Sequence, residues 1–328
     1  MATHHINKLI AFSVMMVAGI GLSQATFATD YDLVINGGRV MDPETKYDRV
    51  ANVGIKDGKI AEITDKKISG KQTIDAKGLV VAPGFIDTQY HGQTPFGIKM
   101  ALRDGVTSAM DLENGILNTA EWYDSKTNHW QVNYGATVGL AYVRMVVHDG
   151  LDLKGPFDTP IAGPYINKAA ADGVSGWSVT RSSIDQMNQI TKRIDEELRQ
   201  GALGVGGLLA YMAKGVTTYE MYAVQRTAAR YGRLSDFHHR FHVSAQTPTE
   251  APLGFDEVFT NAFLTDAPLL IAHDNDYGWW EIEEKLQLAR KKGLNMWSEH
   301  YPYTTVFDNY QCRFLGPGQL GEKAGLRL

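Results

Sequence analysis

Ala82-Pro83-Gly84-Phe85-Ile86-Asp87-Thr88-Gln89-Tyr90-His91-Gly92 is the stretch on which the reading of this chain turns. Pro83-Gly84 reads as a turn. Phe85 and Ile86 open a short apolar strand, and Asp87, Gln89 and His91 follow as polar, metal-capable groups. Polar groups gathered at the carboxyl end of a strand are how a β/α barrel assembles a site.

Downstream of this turn, strand-like apolar runs alternate with helical ones, the pattern of a parallel barrel or a doubly wound sheet. Strands are predicted at 84–88, 107–112, 134–140, 203–208, 234–237, 269–272 and 295–298. The helix at 182–199 repeats apolar residues at helical spacing through Ile184, Met187, Ile190, Ile194 and Leu198, with serines at its start. Helices at 218–230 and 280–292 precede Gly232 and Gly293, glycines suited to ending them. Upstream, residues 31–81 read as short strands of a small antiparallel sheet. Gly37-Gly38 reads as a turn, and Asp57-Gly58 as a tight hairpin.

Composition bounds the function. The chain has 328 residues, 44% hydrophobic and 21% charged, with a formal net charge of −5. That is globular composition with no basic footprint, so nucleic acid is excluded as a partner. Lys8 followed by the apolar run 9–22 reads as a secretory signal peptide, ending near Ala25 or Ala28. The run is short for a membrane span, so a periplasmic or secreted protein without a membrane partner is expected after cleavage. Cys312 is the only cysteine, which leaves no intrachain disulfide. The expected division is a signal peptide at 1–28, a β module at 29–82, a partial barrel at 83–304 and an irregular tail at 305–328.

The run from Pro83 to His91 resembles the first barrel strand of the amidohydrolase superfamily, Pro-Gly-Phe-Ile-Asp-x-His-x-His, with Gln89 where the first His stands. Later segments resemble the D-aminoacylase branch, that is, N-acyl-D-amino-acid deacylases. They are Arg103 to Glu113, Gly201 to Val205, His238-His239-Arg240, Ala272-His273, and Ser298-Glu299-His300-Tyr301-Pro302-Tyr303. Their order covers most of residues 31–304. The resemblance implies an α/β fold: a TIM-like metal-dependent hydrolase barrel, here of about seven strands, behind an N-terminal small β-sandwich module. It implies one or two Zn²⁺ ions and a small-molecule amide substrate, and it leaves the oligomeric state undefined.

By the same resemblance His238 and His273 are the fifth- and sixth-strand metal ligands, and Glu113 is the second-strand ligand. The alternative for Glu113 is a salt bridge to Arg103 or Lys99. His91 approaches from strand one. Gln89 stands beside it, but a neutral amide is a poor zinc ligand, and a hydrogen-bonding role suits it better. Together the two are expected to make at most a weak second site. Arg240 is the candidate for a substrate carboxylate, the alternative being an ion pair with Asp274 or Asp276. Tyr211 is a candidate hydrogen-bond donor to substrate or a packed aromatic. His239 and His242 are expected on the surface or just outside the site. His129, His148 and His300 are expected to be structural, and Trp279-Trp280 to be core packing.

The branch carries its proton-transferring Asp at the end of an eighth strand. No eighth strand is predicted here, and Asp308 falls one strand too early, so the catalytic residue is unassigned. The tail from Thr305 matches nothing in the branch, and a truncated or frame-shifted chain is expected. The leading function is metal-dependent hydrolysis of a linear carbon–nitrogen bond, other than a peptide bond, in an N-acyl-D-amino-acid-like substrate. The alternatives are an inactive remnant of that lineage and a cyclic-amide hydrolase of the hydantoinase or dihydroorotase kind. The last usually carries a carbamylated Lys on strand four, and the run 203–208 has no Lys.

Overall fold

The computed structural model describes residues 31–171, 175–241, 250–274 and 279–300. The expected signal peptide, His242, Asp276, the segment 301–303 and the tail with Asp308 and Cys312 lie outside them. The chain divides into two compact units, Met1–Pro83 and Gly84–Leu328.

The first unit is one five-stranded sheet. Its strands are β1 (Tyr31–Asp42), β2 (Tyr47–Lys56), β3 (Lys59–Thr64), β4 (Gly70–Asp75) and β5 (Val80–Val81). They are ordered β3-β2-β1-β4, with β5 also beside β1. The sheet is mixed rather than antiparallel: β1 pairs antiparallel with β2 but parallel with β4 and β5. Gly37-Gly38 is likewise not a turn. β1 runs through it, and the register with β2 shifts between Ile35 and Gly38. Gly37 takes φ +68°, a left-handed conformation suited to an inserted residue in a bulge, and the strand continues. Asp57-Gly58 is the expected hairpin turn, with φ of 51° and 71°. Val40, Ala51 and Val53 form the small core.

The second unit alternates strands and helices. Its strands are β6 (Phe85–Asp87), β7 (Val106–Ile116), β8 (Asn133–Gly139), β9 (Gly204–Gly207), β10 (Leu234–Phe237), β11 (Leu269–Ile271) and β12 (Met296–Ser298). Its helices are α1 (Pro95–Arg103), α2 (Thr119–Lys126), α3 (Leu140–Asp149), α4 (Thr159–Ala171), α5 (Gly176–Val179), α6 (Ile184–Arg199), α7 (Thr218–Ala229), α8 (Glu250–Leu264) and α9 (Trp279–Lys291). The strands form one sheet in chain order from β6 to β12. Every neighbouring pair is parallel. This is a curled half-barrel, an incomplete TIM-type fold.

All seven strands expected from the sequence are present, and β7 runs four residues further than expected, to Ile116. α6 starts with a capping box in which Ser183 and Gln186 satisfy each other's backbone N–H groups. Its Ile190, Ile194 and Leu198 are fully buried in one core cluster with strand residues such as Val138 and Val205. Each such side chain contributes roughly 1.5–3 kcal/mol relative to exposure. Trp279 and Trp280 are not core: they are 47% and 54% exposed and stack edge-on to each other. No helix among the described residues is long and apolar enough to cross a membrane.

Candidate metal centre

Glu113 reaches the centre because β7 breaks its own ladder. The register with β8 shifts between Asp111 and Ile116, and Thr137 Oγ1 donates to the Leu112 carbonyl at 2.7 Å. Asp111 and Glu113, two residues apart, both reach His91. His238 directly follows β10, and its backbone N–H still bonds the Gly207 carbonyl at 3.1 Å. His273 lies two residues past β11 and takes φ +61°. A left-handed histidine at a strand end is the kind of strained backbone that gathers at functional sites.

These side chains converge. His238 Nδ1 lies 2.7 Å and His273 Nε2 3.1 Å from Glu113 Oε1, and the two ring nitrogens are 3.1 Å apart. All three residues are buried, and their ligand atoms lie within 4.8 Å of one another. On the other carboxylate oxygen, His91 Nε2 stands 3.3 Å from Glu113 Oε2. Burial opposes the charge on Glu113, but His238, His273 and His91 outweigh it and hold the carboxyl well below its ordinary range. One carboxylate facing three imidazoles, all at the sheet's carboxyl edge, is a donor set that suits Zn²⁺. The salt-bridge alternative for Glu113 is not what forms; its partners are the histidines.

No protein-family model matches the chain. The N-acyl-D-glutamate deacylase of Alcaligenes xylosoxydans xylosoxydans is 28% identical over 291 residues, which are 83% of this chain and 57% of the relative. The dihydroorotase of Streptococcus pneumoniae serotype 4 is 42% identical over 92 residues, 27% of this chain and 19% of that enzyme. Two solved structures superpose with a TM-score of 0.60. One is a D-aminoacylase, at 22% identity over 83% of this chain and 59% of that one. The other is the N-acyl-D-glutamate deacylase of Bordetella bronchiseptica with zinc and a phosphonate inhibitor, at 19% over 87% and 62%. The similarity is to the amidohydrolase superfamily. Within it, the D-aminoacylase-like likeness read from the sequence holds. The chain spans under two thirds of the length of these relatives.

Within this amidohydrolase-like half-barrel the other candidate residues sort differently. Gln89 has a hydrogen-bonding role: its amide donates to Glu299, just past β12, and Thr88 Oγ1 donates to the same carboxylate. Arg240 is buried, and each of its three nitrogens has a partner. Its Nε donates to Glu257 at 2.6 Å, and its terminal nitrogens donate to the Ala213 and Val216 carbonyls at 2.9 and 2.6 Å. Its ion-pair partner is thus Glu257 on α8 rather than Asp274. Tyr211, 39% exposed, packs edge-on to His238 at 5.0 Å between ring centroids.

His239 is not at the surface. It is 2% exposed, it faces the Arg240 carbonyl at 3.1 Å, and burial depresses its pKa to about 4. His148 bonds Ser182 at 2.9 Å and serves structure, while His129 is exposed. His300 lies 3.8 Å from Asp274.

Three acids in this region carry no role in the sequence reading. Asp111 is fully buried against His91, at 3.1 Å. Glu299 is pushed well above its usual range by burial and then by the charge of Glu113. Asp236 is fully buried, and neither of its carboxyl oxygens has a hydrogen-bond partner among the described residues. Burial, with Glu299, Glu113 and Asp111 nearby, drives its pKa well above the usual carboxylate range. The available signal was spacing: Asp111 precedes Glu113, and Asp236 precedes His238, each by one strand repeat.

Proposed function

We propose that this chain is a zinc-dependent amidohydrolase that hydrolyses a linear amide of an N-acyl-D-amino-acid-like small molecule to a carboxylate and an amine. The observation that carries the proposal is the buried Glu113–His238–His273 group at the carboxyl edge of the sheet. These three residues would hold one divalent cation. A bound Zn²⁺ supplies Lewis-acid polarisation of a carbonyl and lowers the pKa of water.

The chain's own groups set the rest. Glu113 contributes the negative charge that favours a dication, and its buried setting strengthens that attraction. His238 and His273 face the carboxylate from two adjacent strands and limit the geometry the ion can take. His91 closes the side toward β6. Tyr211, beside His238 and partly exposed, is placed to donate a hydrogen bond to a substrate at the rim. Arg240 is assigned to holding the segment after β10 against α8, because each of its three nitrogens already has a partner. The run at residues 9–22 supports export from the cytoplasm.

Two facts support the linear-amide reading over the cyclic one. The deacylase similarity extends over 83% of this chain, whereas the dihydroorotase similarity extends over 27%. β9 and its flanks also offer no Lys. Gln89, in place of a histidine, favours the second reading, an inactive relative that still holds metal. The deciding experiment is hydrolysis of N-acyl-D-glutamate and other N-acyl-D-amino acids, beside hydantoin and dihydroorotate, with added Zn²⁺. Zinc-dependent release of the D-amino acid supports the proposal. Bound zinc without turnover of any substrate supports the inactive relative, and turnover of the rings alone overturns the linear-amide assignment.

A further inference from the structure

We infer that Asp111 is the positioning residue of the centre: it holds His91 with its Nδ1 proton on the carboxylate and its Nε2 lone pair turned toward the Glu113 group. The inference rests on the metal reading above.

The geometry is specific. Asp111 Oδ1 lies 3.1 Å from His91 Nδ1, and the opposite ring nitrogen, Nε2, lies 3.3 Å from Glu113 Oε2. An imidazole between two carboxylates can give only one nitrogen to a cation, and the other must then carry its proton to an acceptor. Asp111 is that acceptor, and it is itself fixed. Its Oδ1 also accepts the Gly115 N–H at 3.0 Å, and its Oδ2 accepts the Thr159 hydroxyl at 3.0 Å. Thr159 is in turn held by the Asn114 amide at 2.7 Å. The carboxylate therefore cannot rotate without breaking bonds to β7 and to the start of α4. His91 needs such a brace because it lies beyond the end of β6, on a side chain 37% exposed. It makes His91 the first-strand donor of this chain, while the Gln89 amide is engaged by Glu299.

The competing role is structural: Asp111 could serve only the β7 distortion, through Gly115 and Thr159. Two substitutions separate the roles. Asp111→Asn keeps a carbonyl oxygen for Gly115 but weakens the acceptor for His91. Thr159→Val removes a structural bond and leaves the His91 contact in place.

The test is zinc affinity, measured by competition with a chromophoric chelator on the full chain. It is combined with ¹⁵N–¹H spectra of His91 in the zinc-loaded, unsubstituted protein. Asp111→Asn is expected to weaken zinc by about 10–100-fold, the usual effect of losing an outer partner of a ligating histidine. Thr159→Val is expected to change it much less. His91 is expected to carry its proton on Nδ1.

Zinc affinity of Asp111→Asn equal to wild type, or an equal loss in Thr159→Val, would overturn the inference while leaving the centre intact. A His91 proton on Nε2 would overturn it without any variant having to fold. Failure of the unsubstituted chain to bind zinc would sink the metal reading and this inference together.

Discussion

The two halves of the centre are built differently. His238 directly follows β10 and His273 lies two residues past β11, inner strands whose last residues, Phe237 and Ile271, are fully buried. The two histidines are themselves 6% and 8% exposed. His91 follows β6, an edge strand whose Phe85 and Ile86 are 63% and 68% exposed. On the inner strands, packing on both sides fixes where a ligand points. At the edge that packing is missing, and hydrogen bonds to Asp111 and Glu113 take its place. The centre therefore has a firm side held by its core and a braced side held by polar contacts.

Truncation on the two sides tests that contrast first. Phe237→Ala should cost about 3–5 kcal/mol, because the vacated space lies in a closed core. Ile86→Ala should stay within about 0.5 kcal/mol, as exposed positions do. Denaturant unfolding of the two variants measures the difference, and comparable losses would erase the distinction between the halves.

A smaller effect concerns the firm side alone and depends on pH. His239 is neutral in its buried place, with its pKa lowered from 6.5 to about 4. Between those values the unfolded chain binds the extra proton, so folding stability is full above pH 6.5 and declines as pH falls toward 4. The loss amounts to about 3 kcal/mol. His91 works with the opposite sign. Burial disfavours its charge, but Asp111 and Glu113 raise its pKa well above the ordinary value. Its contribution is present below 6.5 and fades as pH rises through the folded value. Stability measured across pH 4 to 7 for wild type and His239→Gln isolates the first term. The variant should show the shallower slope, and parallel curves would place His239 in contact with water.

Much of this was legible in the sequence because it depends on local pattern. Seven strands, the α6 cap and the Asp57-Gly58 turn each follow from neighbouring residues. The expectation of ligands just past strand ends also rests on local pattern: His238 directly follows β10 and His273 lies two residues past β11. What escaped depends on distant pairing. Arg240 finds Glu257 only because α8 folds back on the segment after β10, and Gln89 finds Glu299 from 210 residues away. Asp111 and Asp236 carry no role in the sequence reading; folding gives one a histidine partner, and burial raises the pKa of the other. The β1 bulge at Gly37-Gly38 escaped for another reason: a glycine pair serves a turn and a bulge equally well.

The central claim is that Glu113, His238 and His273 hold one divalent cation, with His91 supporting from the edge. The direct measurement is zinc content and affinity of the purified chain and of its His273→Ala and His91→Ala variants. Wild type should carry one zinc per chain. His273→Ala should lose it, with affinity falling further than the roughly 10–100-fold of an outer-partner loss, and His91→Ala should lose less. Equal zinc in wild type and His273→Ala would contradict the account.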